Sequence, residues 1–177
     1  FTLKFNNKEY DFQFALHRPG EIERRPLVSG FIQDWINKLQ KYVEPNSIAI
    51  DIEAFNGATA FPLGCLVQNG HVFAFEPSLE FTTRLQINLY LNPYFNISAY
   101  NCAIMEKRGV YEFLYDKEME NGGAHYNTSV VNKMNIGRGY TRKRFVASVN
   151  FREFFIKKIN FNHISFIKLD TEGYDMK

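Results

Sequence analysis

The sequence has few of the features that mark disulfide-stabilised, membrane-spanning or nucleic-acid-binding proteins. It contains two cysteines, Cys65 and Cys102, both in apolar surroundings, which predicts reduced core residues and not a disulfide framework. The formal net charge of +2 is too small to indicate the clustered basic face that nucleic acid requires. No stretch approaches the ~20 apolar residues of a membrane span, and no signal peptide is visible. We therefore expect a cytoplasmic protein with no membrane or nucleic-acid partner.

Spaced histidines and spaced glycines are missing too. The four histidines do not fall at the separations of a metal site, so no metal is predicted. Only His125, in a long polar segment, is a candidate for contacting a substrate or moving a proton. The three spaced glycines of a dinucleotide-binding loop are absent between positions 51 and 60. This absence disfavours a nicotinamide-dependent oxidoreductase.

Apolar and aromatic side chains, by contrast, are abundant. The 177 residues are 45% hydrophobic and 16% aromatic, with 18 Phe and 10 Tyr. A chain of this length fits one domain and can bury a substantial core. The aromatic supply predicts large core side chains in preference to an exposed stacking surface.

The apolar pattern alternates between strands and helices after a lead-in over 1–46. The lead-in is predicted to form a hairpin, with strands at 2–5 and 10–14, and an amphipathic helix at about 27–42 that packs on the sheet. The polar stretch 116–144 is long enough for a lid or a binding loop. We expect an α/β fold with a mainly parallel sheet and flanking helices. The remaining predicted strands are 48–52, 72–76, 97–100, 110–115, 145–149 and 164–169, and the remaining helices are 59–68, 78–91 and 151–159.

Three acidic residues, Asp51, Glu76 and Asp170, each stand where an apolar strand ends. Parallel strands would gather these carboxylates at one edge of the sheet, which is where α/β folds bind their ligands. Glu76 follows Asp51 by 25 positions, a spacing typical of an acid that binds the hydroxyls of a ribose. The alternative is that each acid caps the helix after it. Three acids at successive strand ends favour a nucleoside-type cofactor site.

Lys168, Asp170 and Glu172 alternate at the end of the last predicted strand and would share one face if that strand continued. Such a cluster could position a hydroxyl substrate or take its proton, because neighbouring charged groups shift one another's pKa values. A structural set of ion pairs that neutralise one another is the alternative.

Several blocks of the sequence resemble the FkbM-type family of S-adenosylmethionine-dependent methyltransferases over residues 47–177. The most specific blocks are 74–78, Ala-Phe-Glu-Pro-Ser, and 167–175, Ile-Lys-Leu-Asp-Thr-Glu-Gly-Tyr-Asp. The resemblance implies a Rossmann-like class I methyltransferase fold that uses S-adenosyl-L-methionine and methylates an oxygen of a small molecule or sugar. The other matching residues are Asp51-Ile52, Ala54, Gly57, Asn88, Asn92, Asn101-Cys102-Ala103 and Asn121-Gly122-Gly123-Ala124-His125.

The resemblance also implies where the ligands lie. The methionine end of the cofactor would lie at 51–57, its ribose hydroxyls at Glu76, and its adenine near Cys102 and Ala103. The acceptor, a small molecule or carbohydrate, would lie near Asp170. The cofactor-binding candidates are therefore Asp51, Glu53, Ala54, Phe55, Gly57, Glu76, Pro77, Cys102 and Ala103, and the catalytic candidates are Asp170, Glu172, Lys168 and His125.

Two departures from the family pattern keep an alternative open. Where the family has Asp-x-Gly-Ala-Asn/His-x-Gly, this chain has Glu53 for the glycine and Phe55 for the polar residue. Glycine permits a positive φ and close approach of the backbone to a ligand, so a degraded loop would suit a catalytically inactive binding or scaffolding module. The family fold also has strands beyond Asp170. We therefore expect the 47–177 domain to be C-terminally incomplete, with a further segment or an oligomer partner covering an exposed sheet edge.

Overall fold

The computed structural model describes residues 2–5, 8–15, 25–116, 124–126, 140–158 and 163–170. The strands in these ranges are β1 Thr2–Phe5, β2 Lys8–Asp11, β3 Ile48–Ile52, β4 His71–Phe75, β5 Ile97–Tyr100, β6 Ala103–Met105, β7 Gly109–Asp116, β8 Ala124–Tyr126, β9 Tyr140–Asn150 and β10 Ile164–Leu169. The helices are α1 Arg25–Leu39, α2 Ala60–Leu66, α3 Leu79–Leu91 and α4 Phe151–Lys158.

Four strands form a parallel sheet in the order β10-β3-β4-β5. In β3 every residue from Ala49 to Ile52 is buried, as expected of a strand covered on both faces. The register sets Asp51 opposite Lys168 of β10 and opposite Ala74 of β4. The predicted α/β fold with a mainly parallel sheet and flanking helices is confirmed, and strands 48–52, 97–100 and 164–169 have the predicted bounds.

The helices begin where local chemistry allows them to. α2 is short and fully buried, and it holds Pro62 in its first turn, where a missing N–H leaves no helical hydrogen bond unmade. At the start of α4, Asn150 Oδ1 accepts a hydrogen bond from Glu153 N at 2.9 Å. Ser78 occupies the N-cap position of α3, but its hydroxyl makes no capping hydrogen bond.

A second, mainly antiparallel sheet has the order β6-β9-β7-β8. The strand predicted at 110–115 corresponds to β7, but the other sequence predictions were wrong here. The strand expected at 145–149 is longer and forms β9 over 140–150, the expected loop 116–144 contains β8 and the start of β9, and β6 was not predicted. A strand rich in charged residues, such as Lys143 and Arg144, has no apolar alternation, so only its pairing with β7 identifies it. Residues 117–123 and 127–139 lie outside the described ranges.

The N-terminal residues form the predicted hairpin and helix. β1 pairs antiparallel with β2, which ends at Asp11, three residues before the predicted end. Phe12 is 1% exposed and packs edge-on against Phe61 of α2, with the ring centroids 4.6 Å apart. Ile32 of α1 belongs to the same buried cluster, as do Ala49 and other residues of the parallel sheet. The lead-in is therefore part of the main core.

Aromatic side chains fill the opposite face of the parallel sheet, as the composition predicts. Phe75 is fully buried and packs against Tyr100, Phe154 and Phe155. Both cysteines are buried and free. Within the described ranges, no helix is both long and apolar enough to cross a membrane.

Candidate functional site

The carboxyl ends of β10, β3 and β4 bring the three predicted acids to one edge of the parallel sheet. Asp51 is the second-to-last residue of β3, while Glu76 and Asp170 directly follow β4 and β10. Asp51 is 0% exposed and Glu76 is 4% exposed, whereas the side chain of Asp170 is 71% exposed. Two of these carboxylates are therefore buried, and each of them needs partners within the protein.

Lys168 is the cation that faces Asp51. Its Nζ lies 3.3 Å from Asp51 Oδ1 and 3.6 Å from Asp170 Oδ2, and its side chain is only 10% exposed. The Nζ–Oδ1 contact is an ion pair and not a well-aligned hydrogen bond. Thr59 Oγ1 donates to Asp51 Oδ2 at 2.5 Å. Burial raises the pKa of Asp51, while Lys168 and Thr59 act against that rise by stabilising the carboxylate.

The loop between β3 and α2, residues 53–59, has an unusual backbone. Glu53 has φ 60°, Phe55 has φ 54° and Gly57 has φ 99°, and these are all the positive φ angles among the described residues. A Cβ on Gly57 would lie 2.7 Å from the Phe61 ring and 2.9 Å from Leu85, so only glycine fits there. Glu53 thus adopts the left-handed conformation for which the family pattern places a glycine.

Three side chains from separate elements hold successive peptide groups of the β3–α2 loop. Lys168 Nζ donates to Glu53 O at 2.7 Å, Phe55 N donates to Glu76 Oε2 at 2.8 Å, and Asn88 Nδ2 donates to Asn56 O at 2.9 Å. Left-handed conformations of residues other than glycine persist only where surrounding contacts determine them. These three hydrogen bonds supply such contacts.

Glu76 uses both of its carboxylate oxygens within the protein. Oε2 accepts from Phe55 N and Oε1 accepts from Ser78 N, both at 2.8 Å. Burial raises the pKa of Glu76 to about 7, and these two backbone hydrogen bonds oppose the rise. Each carboxylate oxygen can accept a second hydrogen bond. The buried hydroxyl of Ser78 has no partner among the described residues, so this position has both spare acceptors and a spare donor.

The segment that follows β5 reaches the same edge. Asn101 Nδ2 donates to Glu76 O at 3.0 Å and to Pro77 O at 3.2 Å, which places Pro77 and Cys102 near the buried acid. Cys102 and Ala103 are 8% and 6% exposed. Burial raises the pKa of the Cys102 thiol to about 11, so it is neutral at pH 7.

The structure therefore brings most of the predicted site residues together. The β3–α2 loop, with Ala54 in it, lies between Asp51 and Glu76, and Lys168 and Asp170 flank it. The backbone of His125 lies in β8, opposite Leu114 of the second sheet. Glu172 lies outside the described residues.

Sequence reasoning missed the contacts of three side chains that build this site, Thr59, Asn88 and Asn101, and the contact of the Ser78 backbone N–H. Asn88 and Asn101 were among the family-matching positions, but the pattern does not say which backbone groups they hold. Thr59 carried no signal, since a threonine before a helix predicts only a cap. For Lys168 the sequence left two alternatives, a substrate contact or a structural set of ion pairs, and its described contacts are with Asp51, Asp170 and backbone carbonyls at the end of β3 and in the loop.

Several solved structures are similar to parts of the chain. A precorrin-6y C5,15-methyltransferase from Geobacter metallireducens is 20% identical, with 52% of this chain and 44% of that chain covered and a TM-score of 0.36. P. horikoshii TYW2 in complex with MeSAdo is 18% identical, with 58% of this chain and 35% of that chain covered and a TM-score of 0.36. An rRNA methylase from Streptococcus thermophilus is 17% identical, covering 50% and 42%, with a TM-score of 0.35. The chain spans less than half the length of each, and the fold assignment depends on its own strand order.

No curated protein sequence matches the chain. The model of one protein family does match, and its description is "Methyltransferase FkbM domain". The match covers residues 51–177, which begins at the buried Asp51 and includes the loop, Glu76 and the β10 residues described above. The chain therefore belongs to the FkbM methyltransferase domain family.

Proposed function

We propose that this protein is an S-adenosylmethionine-dependent methyltransferase that acts on a hydroxyl oxygen of a small molecule or sugar. The observation that carries the proposal is the left-handed β3–α2 loop, held between the buried carboxylates of Asp51 and Glu76 at the carboxyl edge of the sheet. Ligands of open α/β sheets bind at this edge. Family membership supports the class of reaction, and the geometry supports the choice of residues.

The residues present fit a nucleoside cofactor. Glu76 retains two acceptor positions for ribose hydroxyls after its hydrogen bonds with Phe55 N and Ser78 N. The unpartnered Ser78 hydroxyl adds a donor beside it. The backbone of Glu53 has the positive φ that a glycine at this position of the family pattern would permit. Glutamate in place of glycine therefore does not prevent this path of the loop. Glu53, Ala54, Phe55 and Gly57 would hold the methionine end of the cofactor.

Methyl transfer requires little acid–base chemistry, because the cofactor supplies a methyl group already activated on a sulfonium. The protein must orient the acceptor oxygen and receive its proton. Lys168 is engaged by Asp51 and Glu53 O, so its role is to hold the loop and keep Asp51 ionised. Asp170 has an exposed carboxylate 3.6 Å from Lys168 Nζ and is the described residue best placed to accept the proton.

Calorimetric titration with S-adenosylhomocysteine, the demethylated product, tests the proposal. We expect micromolar binding that becomes at least about tenfold weaker in Glu76→Ala, because the ribose hydroxyls lose their acceptor. Glu80→Ala is the matched control, since Glu80 lies close by in α3 but pairs with Arg144 at the surface. Absence of heat with a folded chain would contradict the proposal and favour the scaffolding alternative.

Glu53→Gly addresses that alternative directly. If Glu53 contacts the cofactor, for example its amino group, the variant binds S-adenosylhomocysteine more weakly than the natural chain. If the loop is a degraded cofactor site, the glycine restores binding and the affinity rises sharply. The same titration measures both outcomes.

A further inference from the structure

Asn88, in α3, has a fully buried side chain that bridges two distant segments. Its Oδ1 accepts a hydrogen bond from Ala15 N at 2.7 Å, and its Nδ2 donates to Asn56 O in the β3–α2 loop at 2.9 Å. Ala15 belongs to the lead-in and lies 73 positions earlier in the sequence. One amide group therefore joins the lead-in to the candidate cofactor loop.

The two backbone partners fix the orientation of the Asn88 amide. A backbone N–H can only donate and a backbone carbonyl can only accept, so the oxygen must face Ala15 and the nitrogen must face Asn56. If Ala15 N were withdrawn, the amide would lose one of the two partners that determine this orientation. The lead-in thus helps to keep a donor facing the loop.

The lead-in is held in place independently of this bond. Asn92, one turn after Asn88, accepts from Gln13 N at 3.0 Å and donates to Gln13 O at 2.6 Å. Two asparagines on one face of α3 thus bind alternate residues of an extended segment, whose N–H groups point the same way. The Phe12 ring adds contacts with Phe61, the residue whose ring lies against Gly57 of the loop.

We propose that Asn88 is a positioning residue for the cofactor loop, and that the docked segment Phe12–Ala15 sets its orientation. The proposal rests on the proposed function for its effect on the cofactor, but its effect on the loop is independent of any ligand. Three side chains of other elements, Lys168, Glu76 and Asn88, form hydrogen bonds with backbone groups of the strained loop. Among these three, Asn88 is the side chain that also binds the lead-in. The lead-in, predicted from the sequence only to pack on the sheet, would then affect cofactor binding.

Asn88→Asp tests the proposal with little change of shape. The carboxylate still accepts from Ala15 N but cannot donate to Asn56 O. In the folded loop, Phe55 N donates to Glu76 Oε2 and Gly57 N donates to Ala54 O. We expect both amides to exchange with deuterium at least about tenfold faster in the ligand-free variant, because opening of the loop breaks these bonds. S-adenosylhomocysteine should also bind about tenfold more weakly.

Asn92→Asp is the matched control. It buries the same new charge at the C-cap of the same helix and breaks the hydrogen bonds from the side-chain amide to Gln13 O and Asn88 O, but it leaves the bond from Asn88 to Asn56 O in place. Equal loop exchange in the two variants, or equal affinities for S-adenosylhomocysteine, would overturn the proposal. If the natural chain binds no S-adenosylhomocysteine, the proposed function fails, and the exchange comparison alone decides the role of Asn88.

A second pair of variants covers the case in which Asn88→Asp does not fold. Ala15→Pro removes the N–H that orients Asn88, while Ala15→Gly changes the backbone freedom at the same position but retains that N–H. We expect several-fold faster exchange of the Phe55 and Gly57 amides in Ala15→Pro than in Ala15→Gly. Equal exchange in these two variants would show that the lead-in does not orient Asn88.

Discussion

The two larger sheets of this protein differ in how far their ion pairs are exposed to water. At the carboxyl edge of the parallel sheet, Asp51 is 0% exposed and Lys168 is 10% exposed. In the second sheet, the ion pair of Lys143 with Glu112 has a similar length, 3.0 Å, but exposures of 64% and 33%. Burial makes each partner of the first pair depend on the other, whereas water can replace either partner of the second.

The two sheets also differ in backbone strain. Every positive φ angle in the described residues belongs to the loop that follows β3, and none belongs to the second sheet. A strained loop fixed by buried charges is typical of a binding site, because the same contacts that stabilise the strain hold backbone groups ready for a ligand. The difference between the two sheets favours the carboxyl edge of the parallel sheet as the candidate site without reference to any relative.

The largest effect should come from Lys168→Met. Its loss leaves Asp51 buried without a cation and releases the Glu53 carbonyl, so we expect the free energy of unfolding to fall by about 3–5 kcal/mol. Lys143→Met in the second sheet should cost less than about 1 kcal/mol, because that pair is exposed. Urea denaturation of the two variants measures both values.

A double variant separates the charge from the packing. Asp51→Asn combined with Lys168→Met removes both charges and leaves an amide that can still pair with Thr59. We expect it to regain more than half of the stability that Lys168→Met loses, since the uncompensated charge is the main cost. A double variant as unstable as the single one would mean that the bond to Glu53 O dominates.

The pH dependence of stability should show the second buried acid. The pKa of Glu76 is about 7 in the folded chain, above its ordinary value of 4.5, so between these values the folded state holds a proton that the unfolded state has released. The free energy of unfolding therefore falls as the pH rises from 4.5 to 7, by about 3 kcal/mol from this group. Urea denaturation of the natural chain and of Glu76→Gln, from pH 5 to pH 8, measures it.

The comparison with Glu76→Gln isolates this group from the others that titrate nearby. Asp51, whose pKa is also raised by burial, contributes with the same sign. The pKa of His71 is lowered by burial, so His71 contributes stability that is lost as the pH falls, which is the opposite sign. The His71 contribution remains in the variant and cancels in the difference, whereas that of Asp51 cancels only in part, because Asp51 and Glu76 repel one another when both are ionised. A difference that does not change with pH would show that Glu76 is ionised throughout.

The sequence could predict the parallel sheet but not the contacts that complete the site. Strands 48–52 and 164–169 could be identified from their mainly apolar residues, and the acids at their ends could be placed at one edge of the sheet. β9 could not be predicted in full, because its charged half carries no apolar pattern. The bridge from Ala15 through Asn88 to Asn56 joins residues that only the folded chain brings together.

The smallest predicted effect is that of Glu53→Gly on stability. A residue other than glycine in the left-handed region costs about 1–2 kcal/mol, and Glu53 has φ 60°. Glycine relieves this cost but gives the unfolded chain extra freedom, which takes back about 0.4–1 kcal/mol. We therefore expect a net gain in the free energy of unfolding of about 0.5–1 kcal/mol. Thermal and urea denaturation of the ligand-free chain measure it.

Phe55→Gly tests whether relief of backbone strain alone determines the sign of the change in the free energy of unfolding. Phe55 has almost the same φ, 54°, but its ring packs on Phe81 with the centroids 4.1 Å apart. Glycine would relieve the same strain and lose a half-buried aromatic side chain, which is worth about 1.5–3 kcal/mol when fully buried. We expect this variant to be less stable than the natural chain while Glu53→Gly is more stable. If both variants were destabilised, the left-handed backbone would cost little free energy. The hydrogen bonds of the loop with Lys168, Glu76 and Asn88 would then serve to position the loop and not to offset strain.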